Sequence, residues 1–257
     1  MNKYLFLSLF IFPMIPAAQN LGLWEIGGSV LMTSYEGDLH APDINYTLKN
    51  IQPAVSGYIR REVGRNATLR LNLMVGKIAG ADKSFEKPAW RQIRGASFES
   101  TIVEGSVLAE IYPLSFFSLK NSPSNAEDMP RGSQRGGTRL FPYALIGFGA
   151  AFSNPTVAWN DANGNPQIDP SLAQMDKNAK TKRTHFVLPF GAGLRYKLTD
   201  HFTIHLEGLL RPTFSDYLDG FSQAGNPNKN DWFFTAGIGV GYTLPGKNGM
   251  YSYPTVN

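Results

Sequence analysis

Apolar and polar residues alternate every second position over much of this chain, and a period of two marks β-strands with one apolar and one polar side. The cleanest run is Ala67 to Gly76, where Ala67, Leu69, Leu71, Leu73 and Val75 share one side and Thr68, Arg70 and Asn72 the other. Thr101 to Ile111 repeats it, with Val103, Gly105, Val107, Ala109 and Ile111 opposite Glu104, Ser106, Leu108 and Glu110. Thr203 to Arg211 and Trp232 to Leu244 do the same, the second alternating its apolar series with Thr and Gly. Weaker alternation completes a set of eight strands, predicted at 24–32, 54–61, 67–76, 101–111, 142–152, 186–198, 203–211 and 232–244.

The connections sort by length. Tight turns fall at Val63-Gly64-Arg65-Asn66 and Thr199-Asp200-His201, and between them come long polar loops at Thr33 to Gln52, Lys77 to Ser100, Ser153 to His185 and Thr213 to Asp231. Short turns alternating with long loops, on an even number of strands, predict an all-β fold: an eight-stranded antiparallel transmembrane β-barrel with long outer loops, in a bacterial outer membrane. Pro113 to Phe141 breaks the rule, being long and rich in Pro, Gly, Ser and Asn although it falls on the short-turn side. A soluble β-sandwich is the alternative, and aromatic placement tests it. The parity turns Trp24, Tyr196, Phe202 and Tyr242 outward at the turn end, and Phe152, Phe186, Trp232 and Phe234 outward at the loop end. Two such rings match the interfacial girdles of a membrane barrel; in a sandwich they would be core.

Eight strands enclose a lumen that side chains can fill or that holds one small ligand. The inward parity collects Glu25, Arg70, Glu104, Glu110, Arg195, His205, Glu207 and Arg211, plus one of Arg60 or Arg61. Their signs nearly balance. Unpaired charges in a narrow interior are costly, so neighbouring acid–base pairs are expected to close the lumen and make a plugged barrel, not a porin. His205 and Glu207 share a strand face, but any i, i+2 pair does, so an ion-pair role outweighs a general-base role.

The first eighteen residues fall outside the fold on this reading. Lys3, the apolar run Tyr4 to Ile15 and the small residues Pro16-Ala17-Ala18 form a signal-peptide pattern, leaving residues 19–257 as one barrel domain. The apolar run is short for a spanning anchor. The absence of cysteine excludes a lipoprotein, a disulfide framework and thiol chemistry. The formal charge of +4 and a pI near 9.2 come from scattered basic residues with no basic patch, so nucleic acid is not an expected partner. Mean hydropathy of −0.20 fits strands that barely register on such a scale. His40, His185 and His201 fall in or beside loops and turns with no metal-ligand spacing. No phosphate loop or nucleophile elbow is present, so no cofactor and no enzymatic activity are expected.

Four stretches carry a resemblance: Tyr35-Glu36-Gly37-Asp38-Leu39, Leu188 to Leu198 (LPFGAGLRYKL), Thr213 to Asp219 (TFSDYLD) and Gly225 to Trp232 (GNPNKNDW). Together they resemble a Bacteroidetes family of small outer-membrane β-barrels that includes the barrel component of the type IX secretion system, associated with the periplasmic ring. The resemblance spans about Trp24 to Leu244. It implies an accessory barrel that contacts periplasmic ring proteins, with Pro113 to Phe141, bearing Arg131, Arg135 and Arg139, as the docking segment; a plain flexible turn is the other reading of that segment. Asp216, Asp219, Asn230 and Asp231 suit a self-bonded loop capping the last two strands, whereas a Ca²⁺ site lacks EF-hand spacing. The competing functions are an adhesin-like surface barrel whose outer loops bind an external partner, and a small-solute pore or outer-membrane enzyme.

Overall fold

The computed structural model of the protein describes residues 23–37, 39, 50–63, 67–82, 95–113, 140–159, 183–199, 201–220, 222 and 230–245. They form nine strand segments: β1 (Trp24–Glu36), β2 (Gln52–Glu62), β3 (Ala67–Ala81), β4 (Ala96–Ile111), β5 (Leu140–Trp159), β6 (Thr184–Val187), β7 (Phe190–Lys197), β8 (Phe202–Pro212) and β9 (Trp232–Thr243). All pairings are antiparallel. The order β4-β3-β2-β1-β9-β8-β7-β5 returns on itself through a β4–β5 ladder, so the sheet is a closed ring.

β6 and β7 are two halves of one crossing. Val187 pairs with Gly149 and Phe190 with Ile146, so the register against β5 is the same on both sides of Leu188-Pro189. Pro189 has no N–H to give the ladder, while its carbonyl still accepts a bond from the Gly147 N–H at 2.8 Å. The wall therefore has eight crossings, and closure leaves no edge in the ring for another chain to pair with.

Polarity is reversed relative to a soluble protein. On β3, Leu69, Leu71, Leu73 and Val75 are 43–58% exposed, whereas Thr68, Arg70 and Asn72 are buried. The same holds around the ring: Val30, Met32, Val55, Ile59, Ile146, Phe148, Leu206, Ile238 and Val240 face outward, and the polar partners face in. The apolar outward run of β3, Ala67 to Val75, has the span of a tilted transmembrane strand, about 9–11 residues. All eight girdle aromatics lie on the outside, and the Arg61 guanidinium sits 5.2 Å over the Trp24 ring at the turn end.

The strands run further than the alternation predicts. β1 continues to Glu36, β3 to Ala81 and β5 to Trp159, while β4 starts at Ala96 and β6 at Thr184. The expected loops Thr33 to Gln52, Lys77 to Ser100 and Ser153 to His185 are shorter by that much, and His185 lies within a strand. Beyond the lipid belt the faces exchange character: Lys77 and Glu99 point outward as an exposed ion pair, and Ile78, Phe98 and Ile102 point inward, fully or almost fully buried. Inside the ring, one apolar cluster of Leu31, Tyr35, Met74, Ile78, Phe98, Ile102, Val187, Leu218 and Phe233 fills the outer half. A smaller one, Leu108, Tyr112, Tyr143, Leu145 and Leu209, lies beside the charged groups.

Candidate functional site

The inward side chains predicted from parity meet in the lumen. Arg60 of β2 bonds Glu25 of β1 and reaches Glu110 of β4 at 2.9 Å. Arg70 of β3 lies 2.5 Å from Glu207 of β8 and 3.6 Å from Glu110. Arg195 of β7 bonds the other oxygen of Glu25. On a higher layer Arg211 of β8 pairs with Glu104 of β4 at 2.7 Å. Four glutamates thus face four arginines. Arg60 is the inward member of its pair and Arg61 the outward one.

Three inward tyrosines were not read from the sequence, although the same parity places Tyr58 beside Arg60. The Tyr58 ring lies under the Arg70 guanidinium at 4.2 Å, Tyr112 donates to Glu110 at 2.9 Å, and Tyr143 donates to Glu207 at 2.5 Å. His205 sits between Ser29 at 3.0 Å, Tyr58 at 3.4 Å and Glu207 at 3.8 Å. β9 offers this layer glycine: a Cβ on Gly239 would lie 2.3 Å from His205 Nε2, and one on Gly241 would collide with Glu25 Oε1. Each of these glutamates and arginines has a partner of opposite sign, which offsets the cost of burying them.

The described part of the segment between β8 and β9 packs at the outer end of the bore, with Leu218 buried in the apolar cluster. Phe214, at a φ of 53°, turns the chain away from the wall, and Gly220, at 84°, sits against Val157 and Pro155. The Asp231 N–H donates to the Ser215 carbonyl at 2.8 Å, and the Leu218 N–H to Asp231 Oδ2 at 3.0 Å. The hydroxyl of Tyr35, from β1, lies 2.6 Å from Asp219 Oδ2 and 2.9 Å from Asp231 Oδ1. A phenol has one proton to give, so bonding both carboxyls calls for a second proton on one of them. Consistent with this, burial and then the neighbouring Asp219 carboxylate hold the Asp231 carboxyl well above the usual range. The self-bonded loop expected from the Asx residues is what the described part contains, with Tyr35 as an anchor that sequence spacing could not reveal.

Ser153 and His185 form a buried pair at 2.8 Å in the outer half of the wall, each 3% exposed or less. Among the described residues no group of three His, Cys, Asp or Glu side chains is arranged to hold a metal ion. Arg131, Arg135 and Arg139 lie outside the described residues; the chain leaves the wall after Ile111 and re-enters at Leu140, on the rim that carries the two tight turns.

A closed antiparallel ring with lipid-compatible side chains outside and paired charges within has one solvent that suits it. The protein is an outer-membrane β-barrel. No protein-family model matches its sequence, and no curated protein matches it. Solved barrels are similar to it in outline. Ail, the attachment invasion locus protein of Yersinia pestis, shares 13% identity over 87% of this chain and 99% of its own, with a TM-score of 0.42. Neisserial surface protein A shares 8% over 86% and 97%, at 0.45. The outer membrane protein OprG from Pseudomonas aeruginosa shares 11% over 87% and 96%, at 0.42. The assignment of the barrel rests on its own ring closure and reversed polarity.

Proposed function

We propose that this barrel is a non-enzymatic accessory component of a type IX secretion system, anchoring periplasmic ring proteins to the outer membrane. The observation that carries the reading is the connection across residues 112–139. It leaves and re-enters the wall at the rim where the other connections are tight turns, and its sequence bears Arg131, Arg135 and Arg139. The lumen supports the same direction, because a barrel blocked by ion pairs and an apolar plug acts through its rims and not through its bore. The four motif stretches resemble the Bacteroidetes barrel family that includes the secretion component.

Deleting Ser118 to Thr138 tests it. The barrel is expected to stay folded, judged by heat-modifiable gel mobility, and to lose co-purification of periplasmic ring proteins from solubilised outer membranes. Undiminished co-purification removes the docking assignment, and unchanged cargo secretion after gene disruption removes the secretion role.

A second reading has its own support. The β3–β4–β5 wall continues past the lipid belt with Lys77, Glu99, Asn154 and Thr156 exposed on its outer face. Such a wall suits a surface barrel that binds an external partner, and retained secretion with lost surface binding after outer-loop deletion would favour it.

A further inference from the structure

Most of the lipid-facing wall carries large side chains; small outward residues occur as the pairs Gly28–Gly57 and Gly105–Ala150 and as one run across four strands. Ala144 of β5, Ala192 of β7, Gly208 of β8 and Ala236 of β9 are successive partners in the ladder, all on the outward parity. Leu194 and Leu206 rise beside this floor as a bank. The result is an open apolar groove of about 610 Å³ that reaches Pro113 and Pro142 at the periplasmic rim. Its size falls in the ~300–1,000 Å³ range of small-molecule clefts. The two polar residues along it, Tyr143 and Glu207, turn their side chains into the lumen and bond one another there, so the groove sees little but hydrocarbon.

The occupant follows from the surroundings. The groove is continuous with the lipid-facing belt, so acyl chains are the medium already in contact with it. Within a membrane no hydrophobic force selects between apolar neighbours, and preference comes from close packing. A single hydrocarbon chain laid in the groove touches floor and bank together, whereas on the open wall it meets only side-chain tips. A second barrel, whose wall is convex and broad, would meet Leu194 and Leu206 before it reached the floor. We propose that this groove seats one acyl chain of a phospholipid from the periplasmic leaflet, the side on which it opens.

The test uses the full-length barrel reconstituted in vesicles containing both phosphatidylethanolamine and lipid A, then released into mild detergent for native mass spectrometry. The wild type is expected to retain one phosphatidylethanolamine. Gly208→Leu and Ala192→Leu, which fill the floor, are expected to lower that retention at least fivefold. A Cβ on Gly208 meets nothing closer than the Phe234 ring at 3.5 Å, so the site accepts a side chain. Gly105→Leu adds the same bulk to the outward face of β4, where a Cβ meets nothing within 4 Å, and is expected to retain lipid as the wild type does. The proposal is overturned if the wild type keeps no phospholipid, if all three variants behave alike, if lipid A is retained instead, or if filling the groove dissociates a dimer. The wild-type result stands even if a variant misfolds.

Discussion

Arg60 touches two carboxylates, Glu25 and Glu110, and neither has water to turn to. Replacing it with Met keeps the bulk but leaves Glu25 to Arg195 alone and Glu110 to Arg70 and Tyr112, at a cost of about 3–5 kcal/mol by the usual penalty for breaking a buried pair. Urea titration of the barrel in lipid vesicles measures this, and adding Glu110→Gln should recover part of the loss. Asp231 makes a different prediction, in pH. Its folded-state pKa is raised, so the folded state holds more protons than the unfolded chain and stability falls as pH rises. The contribution is complete below the unfolded value of about 3.9 and is lost as pH climbs through Asp231's own value. Hydrogen exchange at the Leu218 amide, bonded to Asp231, should therefore show protection that declines with rising pH after correction for intrinsic exchange. Asp231→Asn should flatten that slope; an unchanged slope would remove the shared proton from the account.

Each strand states its environment by which side is apolar. Leu71 lies in the middle of the outward run of β3, so Leu71→Arg should cost about 2–4 kcal/mol in vesicles. Its inward neighbour Asn72 bonds Arg70 at 3.0 Å, and Asn72→Ala should cost about 1 kcal/mol in the same titration. Reversed magnitudes would mean that the faces are assigned the wrong way round. The same alternation made eight crossings legible in the sequence, together with the inward charges and both aromatic girdles. It failed at the outer ends for a physical reason. At Lys77, Glu99 and Asn154 the outside becomes water, so the apolar phase of the alternation moves from the outer face to the inner one, and a continuing strand reads as a loop. The contacts of Tyr35 with Asp219 and Asp231 were beyond reach too, because they join residues 184 and 196 positions apart.

At the scale of the whole molecule, ion pairs below and an apolar plug above divide the bore. Purified wild-type protein in planar bilayers should give no steady conductance steps; regular steps of porin size would show that the lumen is open. The ring itself is joined with unequal dependence on its connections. β4 and β5 match sixteen residue partners, from Ala96–Trp159 to Ile111–Ala144, although the stretch between them is the long one across residues 112–139. A two-residue hairpin turn would dictate that register, whereas here the ladder dictates it alone. Tyr112 still holds Glu110, but the register does not depend on the length of residues 114–139, which can be lengthened, shortened or replaced by a grafted module without shifting a strand. Evolution could have rewritten this tether repeatedly while the cylinder that carries it stayed the same.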